Sequence, residues 1–418
     1  MRSLLAGVFT LLSFNAFCQT FTTAAKPEDV GMSSARLAKI DKMIEEHIAN
    51  KYIPGAVVFI ARNGKIVYHK AFGYSDVENK TALKKDNIFR IASQSKAITA
   101  LAVMTLYEDG RFGLDDPISR YIPEFKNPRV LERVNWADTT YTSVPAKSEI
   151  TIRQLLTHTS GIDYAGIGNQ EFKAIYAKAG IPSGIGTTNM ILAEKMKILG
   201  GLPLKHHPGE AYTYGLNSDV LGYLVEVLSG MSFDQYLRTR ILTPLGMNDT
   251  YFFLPKDKRS RMVNLYGTAS GTLAKVTGKV FDNIDPMYPT LEGTYYSGGA
   301  GLNSSIEDYA KFLQMFLNKG EYNGAKILSR KTIELMLTPQ LPTLNNQVGL
   351  GFGLETEKND YLGMLSLGSF SWGGAYNTQY WADPKEKLVA LIYMNTYGGP
   401  NRNTADKFKV LTYQAIVD

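Results

Sequence analysis

The segment AITALAVMTLY, residues 97–107, is the feature that most constrains how this chain can fold. It is apolar on almost every face of a helix, and a helix of that kind has to be buried on all sides. The segment therefore belongs in the interior of a sizeable domain. The chain has the material for one, because 44% of its 418 residues are hydrophobic and only 20% are charged.

Helix and strand patterns come in blocks on the N-terminal side of that segment. Residues 33–49 repeat apolar side chains at helical spacing behind a serine cap. Two strand-like runs, 56–61 and 65–68, follow and are joined by Asn63-Gly64, a dipeptide that favours a tight hairpin. The first hundred residues therefore predict a helix, a hairpin and the buried helix.

The rest of the chain changes character twice. From about 111 to 290, short helical stretches alternate with Pro, Gly and Asn, and no clean alternating strand is visible. Helices are expected there at residues 152–158, 217–228 and 233–242. The C-terminal part favours helices at 302–316, 330–337 and 405–417, and strands at 351–355, 378–382 and 388–395.

This order of elements predicts an α+β fold. One antiparallel sheet would join the two ends of the chain, with helices flanking it and a mainly helical lobe inserted between its halves. We expect one catalytic domain over residues 19–418, with an α/β lobe at about 25–110 and 295–418 and a helical lobe at about 111–294.

The first 18 residues have the pattern of a secretory signal. Arg2 precedes an apolar run at residues 4–17, which is too short to span a bilayer stably. Ala16 and Cys18 put small residues at the −3 and −1 positions of the expected cleavage site before Gln19. We expect a secreted or periplasmic protein with no stable membrane insertion. A buried N-terminal helix is one alternative. The other is a lipoprotein anchored through Cys18, which the bulky Phe17 disfavours.

Charge and cysteine content exclude several classes of function. The formal net charge is +6, but the lysines and arginines are scattered without a basic block, so we expect no nucleic-acid partner. Cys18 is the only cysteine and would leave with the signal. The mature chain then has neither disulfides nor thiol chemistry.

Common catalytic motifs are missing from the sequence. It has no G-x-S-x-G, no phosphate-binding glycine loop and no H-E-x-x-H. His206-His207 could bind a metal, although a loop role is the simpler interpretation, and no metal or cofactor is expected. His158 has Ser160 and Asp163 nearby in sequence, but triad members rarely lie so close along a chain, so a hydrogen-bonded structural histidine is favoured.

The remaining candidate is Ser93-Gln94-Ser95-Lys96, immediately before the buried segment. Positions three apart on a helix share a face, so the Ser93 hydroxyl and the Lys96 amine can meet. Burial disfavours a charged amine, and a neutral amine can take the proton of a neighbouring hydroxyl. The Ser93 amide, at a helix start, could also stabilise an oxyanion. An exposed lysine behind a capping serine is the alternative that a lone motif would leave open.

Further stretches resemble the penicillin-recognising serine hydrolases, the superfamily of class C β-lactamases, DD-peptidases and related esterases. They are TIRQLLTHTSGI (151–162), HPGEAYTYGLNSDVLGYLVEVLSG (207–230), LTPLGMNDT (242–250), SGGAGLNSSIEDYAKFLQMFLN (297–318) and SWGGAYNTQYWADP (371–384). The resemblance implies a β-lactamase/transpeptidase-like fold. It also implies that Ser93 is the acylated nucleophile, Lys96 its base and Tyr214 the tyrosine of the second motif.

The third motif of that superfamily corresponds here to Trp372-Gly373-Gly374. The resemblance implies that these residues and Asn217 contact the substrate, and that the Ala375 amide is a second oxyanion donor. Trp372 stands where β-lactamases and DD-peptidases have a cation for a substrate carboxylate, and an indole cannot replace that cation.

The resulting functional prediction is a secreted serine carboxylesterase working through an acyl-enzyme on Ser93. Its substrate is expected to be a small neutral ester rather than a penicillin, although an amide is also open. A β-lactamase or D-amino-acid peptidase is the first alternative. The second is a penicillin-binding module that is acylated without turnover. Oligomeric state is left open.

Overall fold

A computed structural model describes residues 20–267, 272–281, 284–398 and 403–418. The predicted signal at 1–18, including Cys18, lies outside the described residues. The α-helices are α1 (Ser34–Ala49), α2 (Ser95–Glu108), α3 (Ile152–Leu156), α4 (Gln170–Lys178), α5 (Leu192–Gly200), α6 (Asn217–Ser229), α7 (Phe233–Leu237), α8 (Ile306–Leu317), α9 (Arg330–Met336) and α10 (Asn403–Tyr413).

The strands are β1 (Thr22–Thr23), β2 (Gly55–Arg62), β3 (Lys65–Asp76), β4 (Thr81–Ala82), β5 (Phe89–Arg90), β6 (Arg129–Asn135), β7 (Thr140–Pro145), β8 (Tyr266–Gly267), β9 (Ala274–Lys275), β10 (Asn303–Ser304), β11 (Glu321–Tyr322), β12 (Ala325–Lys326), β13 (Gly353–Leu354), β14 (Phe370–Gly374), β15 (Thr378–Asp383), β16 (Leu388–Tyr393) and β17 (Thr396–Tyr397). The main sheet has the order β1-β3-β2-β16-β15-β14-β13, with β4 also paired to β3.

The two ends of the chain meet in this sheet at the pair β2 and β16. They run antiparallel, with Phe59 opposite Leu391. The other neighbours along the sheet are also antiparallel, except that β1 pairs with β3 in parallel. Helices α3 to α7 lie between the two strand-forming parts of the sequence. The predicted α+β class with an antiparallel sheet and inserted helices is confirmed.

Both faces of the sheet are covered by helices. Alternate residues of β2 point to opposite faces: Val57 and Phe59 belong to the apolar core that contains α2 and α8, and Val58 and Ile60 to the core that contains α1 and α10. Helix α2 lies within the first core, with residues 97–106 buried. The burial expected for the segment 97–107 is therefore observed for all but its last residue.

The structure differs from the sequence predictions in the middle of the chain. The β6–β7 hairpin contradicts the expectation of no strands between 111 and 290. Its residues are largely exposed, so neither strand shows the clear apolar alternation of a half-buried strand. Helices α4 and α5 were not predicted, because Gly and Pro interrupt the sequence around both. Of the described helices, none is long and apolar enough to cross a membrane.

Candidate active site

The site begins where β5 leads into α2. Ala92 has a left-handed backbone with φ of 42°, which is strained for a residue with a side chain. A short 3-10 turn, Ala92–Gln94, follows, and α2 starts only at Ser95. The predicted helix start is therefore displaced by two residues. Ser93 lies in the turn, half-buried, while Lys96 lies in the first turn of α2 and is 4% exposed.

The loop at residues 297–302 fixes the start of α2. The Leu302 amide donates to the Ser95 hydroxyl at 3.0 Å, and the Thr99 hydroxyl donates to the Gly298 carbonyl at 2.7 Å. A Cβ on Gly298 would lie 2.2 Å from the Ser218 carbonyl oxygen, so only glycine allows this approach. The loop thereby joins α2 to α6.

Lys96 points from α2 toward both Ser93 and this loop. Its Nζ lies 3.4 Å from the Ser93 Oγ and donates to the Gly299 carbonyl at 2.7 Å. It also lies 4.5 Å from the centre of the Tyr214 ring and 5.5 Å from that of Tyr164. Lysine, serine and the two phenols therefore share one site, and a short movement of Nζ would bring it to full hydrogen-bonding distance of Ser93.

Tyr214 enters the site from the segment before α6. Its ring packs against His158, Tyr164 and Trp372, with centroids 4.9, 5.4 and 6.0 Å away. Within the described residues, its hydroxyl has no hydrogen bond to Ser93 or Lys96. The observed contact is between the face of its ring and Lys96 Nζ.

The predicted third motif lies on β14. The short strand β13 pairs only with Phe370 and Ser371, so it does not reach Trp372-Gly373-Gly374. A Cβ on Gly374 would lie 2.3 Å from the Ile91 carbonyl oxygen. This glycine therefore allows β14 to approach the turn that holds Ser93.

A pocket opens in front of Ser93. Ser93 and Ala375 both line it, as an oxyanion hole built from their two amides requires. We call it the apolar pocket, because the rest of its lining is mostly aromatic and aliphatic: Tyr164, Gly166, Ile167, Ser183, Ile185, Tyr214, Phe281 and Ala300. A wider groove of about 1460 Å³ shares Ser183 with it.

Asn217 does not line the apolar pocket, contrary to the prediction that it contacts substrate. It is fully buried at the start of α6, where its side-chain nitrogen lies 3.0 Å from His158 Nδ1 and its oxygen accepts from the Ser160 hydroxyl. Asn217 therefore joins two segments of the structure. Burial lowers the pKa of His158 to about 3, with the Lys96 charge adding to the effect. These contacts fit a neutral structural histidine.

The histidine pair has no metal-site geometry. His206 Nε2 bonds the Thr213 hydroxyl at 2.9 Å, and His207 Nδ1 accepts from the Lys147 amide at 3.2 Å. Within the described ranges, no group of three or more His, Cys, Asp or Glu residues is arranged to hold a metal ion.

Two residues near Lys96 were not predicted as part of the site. Tyr164 lines the apolar pocket, and burial raises its pKa well above the ordinary value. Asp219, in the first turn of α6, is fully buried, and burial raises its pKa to about 6. The only sequence signal for either residue was its position. Tyr164 lies two residues after the stretch 151–162, and Asp219 lies in the stretch 207–230, five residues after Tyr214.

Comparison with known proteins decides the family. The family model described as Beta-lactamase matches residues 40–414. The chain belongs to the β-lactamase family. Protein Rv1367c of Mycobacterium tuberculosis is 32% identical over 359 residues, which cover 82% of this chain and 85% of that protein.

Two proteins with named activities are also similar to this chain. Esterase EstB of Burkholderia gladioli is 29% identical over 399 residues, covering 88% of this chain and 93% of EstB. The structure of EstCE1, described as a hydrolase with promiscuous acyltransferase activity, superposes with a TM-score of 0.77 at 26% identity and covers 91% of this chain and 99% of EstCE1. These findings identify the chain as a serine hydrolase of this family.

Proposed function

We propose that the protein is a carboxylesterase that cleaves neutral esters through an acyl-enzyme on Ser93. The observation that best supports this is the combination of Trp372 and the apolar pocket. Trp372 packs on Tyr214 where a β-lactamase has a cation, and the pocket in front of Ser93 has mostly apolar walls. The similarity to EstB and EstCE1 supports the same substrate class.

The reaction begins when Ser93 Oγ attacks the ester carbonyl carbon. Lys96 Nζ, 3.4 Å from that oxygen, receives the hydroxyl proton. The oxyanion then lies between the Ser93 and Ala375 amides, where one donor contributes roughly 3–4 kcal/mol. The carbonyl re-forms as the C–O bond to the alcohol breaks, and the alkoxide takes a proton through Tyr214. Water attacks the acyl-serine by the reverse route and restores Ser93.

A Ser93→Ala variant tests this function directly. We expect hydrolysis of p-nitrophenyl butyrate to fall at least about 10⁴-fold, because the covalent route is lost. Intact-mass spectrometry should show a fluorophosphonate adduct on the wild-type protein and none on the variant. A folded Ser93→Ala protein that keeps its turnover would contradict the mechanism.

Substrate preference tests the alternatives. We expect p-nitrophenyl butyrate to be hydrolysed with a higher kcat/KM than the β-lactam nitrocefin. The reverse order would favour a β-lactamase. A stoichiometric burst without steady-state turnover would favour a penicillin-binding module.

We also propose that the protein is exported and that residues 1–18 are removed. The supporting observation is the short apolar run behind Arg2. Mass spectrometry of the protein from its native host should give an N-terminus at Gln19. A retained Met1 would contradict export by this route, and a lipid on Cys18 would show the lipoprotein alternative.

A further inference from the structure

Asp219 belongs to a buried cluster of polar side chains beside Lys96. We call this cluster the polar chamber and define it by Lys96, Tyr164, Asp219, Tyr295 and Ser297. A Cβ on Gly299 would lie 2.6 Å from Asp219 Oδ2, 3.1 Å from the Tyr164 hydroxyl and 3.6 Å from Lys96 Nζ. Because Gly299 has no side chain, the carboxylate and the amine can both pack against its Cα.

The carboxylate of Asp219 is poorly partnered for a buried charge. Its side chain is fully buried, and neither oxygen has a hydrogen bond of good geometry among the described residues. Tyr295, Ser297 and the Gly299 amide lie close enough to lower its pKa, but burial outweighs them and leaves that pKa at about 6. A buried carboxylate without full hydrogen bonding is costly, which calls for a reason to retain it.

The proximity of Lys96 offers a reason to retain the buried carboxylate. In its protonated form Lys96 lowers the pKa of Asp219. The other titratable groups around the two are the phenols of Tyr164, Tyr214 and Tyr295 and the neutral His158. When Lys96 accepts the Ser93 proton it becomes an ammonium in the same low-dielectric interior. A nearby negative charge stabilises that state far more strongly than it would in water.

We propose that Asp219 is a positioning residue for the reaction: its carboxylate acts across the polar chamber to stabilise the ammonium that Lys96 becomes as Ser93 attacks. This inference rests on the proposed function, because it assumes that Lys96 receives the serine proton. It differs from a structural role in one respect. A structural carboxylate would stabilise the fold, whereas this one lowers stability and raises rate.

The Asp219→Asn variant tests the proposal, because it keeps the shape and removes the charge. We expect kcat for p-nitrophenyl butyrate to fall about 10- to 100-fold with KM changed by less than about threefold. The acid limb of kcat/KM should move to lower pH, because the protonated form of Lys96 loses its counter-charge. Tm at pH 7.5 should not fall.

Asp308→Asn is the matched control. Asp308, on α8, is also buried, but its carboxylate is paired with Lys311 Nζ at 3.0 Å and accepts from the Thr250 hydroxyl. Its hydrogen bonds and ion pairs among the described residues do not involve Lys96. We expect that variant to lose Tm and to keep the wild-type acid limb. A wild-type kcat and acid limb for Asp219→Asn, or a loss of Tm as large as that of Asp308→Asn, would overturn the proposal.

Measuring Ser93→Ala in the same assay separates the two ideas. An active Ser93→Ala protein would reject the proposed function. An inactive Ser93→Ala protein together with wild-type behaviour of Asp219→Asn would reject only the role of Asp219.

Discussion

The polar chamber and the apolar pocket share Tyr164 but are otherwise built in opposite ways. The chamber is buried and contains a poorly partnered carboxylate near Lys96 Nζ. The pocket is open and has mostly apolar walls, including Ile167, which is 59% exposed. In the proposed mechanism the polar chamber stabilises the protonated Lys96 at a cost in stability, whereas the apolar pocket contacts the substrate.

The comparison predicts the largest effect at Lys96, which belongs to the polar chamber and bonds Ser93, a residue that lines the apolar pocket. Lys96→Met keeps much of the side-chain length but removes the amine that bonds Ser93 and Gly299. We expect kcat/KM for p-nitrophenyl butyrate to fall about 10³- to 10⁴-fold, as expected when a general base is lost. Tm should fall, since the buried Gly299 carbonyl loses its donor and the buried Asp219 carboxylate loses its counter-charge. More than a tenth of wild-type activity would show that another group takes the serine proton.

A second prediction concerns the contact between β14 and the Ser93 turn. In Gly374→Ala the new methyl would lie 2.3 Å from the Ile91 carbonyl and 2.4 Å from the Thr378 hydroxyl. The strand must then move away from Ser93, and we expect kcat to fall about 100-fold because displaced catalytic groups lose their alignment.

Gly373→Ala is the matched control on the same strand. Its methyl would meet nothing closer than 3.5 Å, which is ordinary contact. Its loss in kcat should be at least tenfold smaller than that of Gly374→Ala. Equal losses would show that bulk on the substrate side, rather than the contact with Ile91, limits activity.

Substitution of Trp372 should change substrate selectivity, with a smaller effect on rates than the changes at Lys96 and Gly374. Trp372→Lys places a cation beside Tyr214, where β-lactamases have one. We expect the ratio of nitrocefin to p-nitrophenyl butyrate hydrolysis, as kcat/KM, to rise about 10-fold, since a lysine can pair with the substrate carboxylate. Trp372→Phe is the control, because it keeps an apolar ring without the charge. A similar rise in both variants would show that removing the indole, rather than adding charge, changes the preference.

The same contrast explains which parts of the molecule could be predicted from sequence. The burial of α2 and the β2–β3 hairpin follow from local patterns, an all-apolar helix and an Asn-Gly turn in which both residues have positive φ. The β6–β7 hairpin could not be predicted in this way, because largely exposed strands lack the period of two on which such predictions depend.

In the site, too, local sequence patterns predict only the contacts between residues that are close in sequence. Ser93 and Lys96 are close in sequence and could be paired from helical spacing. Asp219 approaches Lys96 only because Gly298 and Gly299 allow α2, α6 and the loop at 297–302 to pack closely. The packing of three distant segments cannot be deduced from the spacing of residues. For the same reason Asn217, predicted to face the substrate, bonds His158 instead.

The last prediction concerns stability, which we expect to depend on pH. The pKa of Asp219 rises from an ordinary 3.8 to about 6 in the folded protein, chiefly because the carboxyl group is buried. The folded state therefore binds more protons than the unfolded state between these values, and stability falls as pH rises through that window. The difference corresponds to roughly 3 kcal/mol above pH 6.

The asparagine in Asp219→Asn cannot ionise, so the variant does not lose stability as pH rises through this window. We expect its Tm to exceed that of the wild type by a few degrees at pH 7.5, with the difference shrinking as pH falls through 6 and vanishing near pH 4. Calorimetry of both proteins from pH 4 to 8 measures it. A constant difference across that range would mean that the change in Tm comes from packing and not from the charge on Asp219. In that case the ionised Asp219 of the polar chamber would not lower the stability of the folded protein.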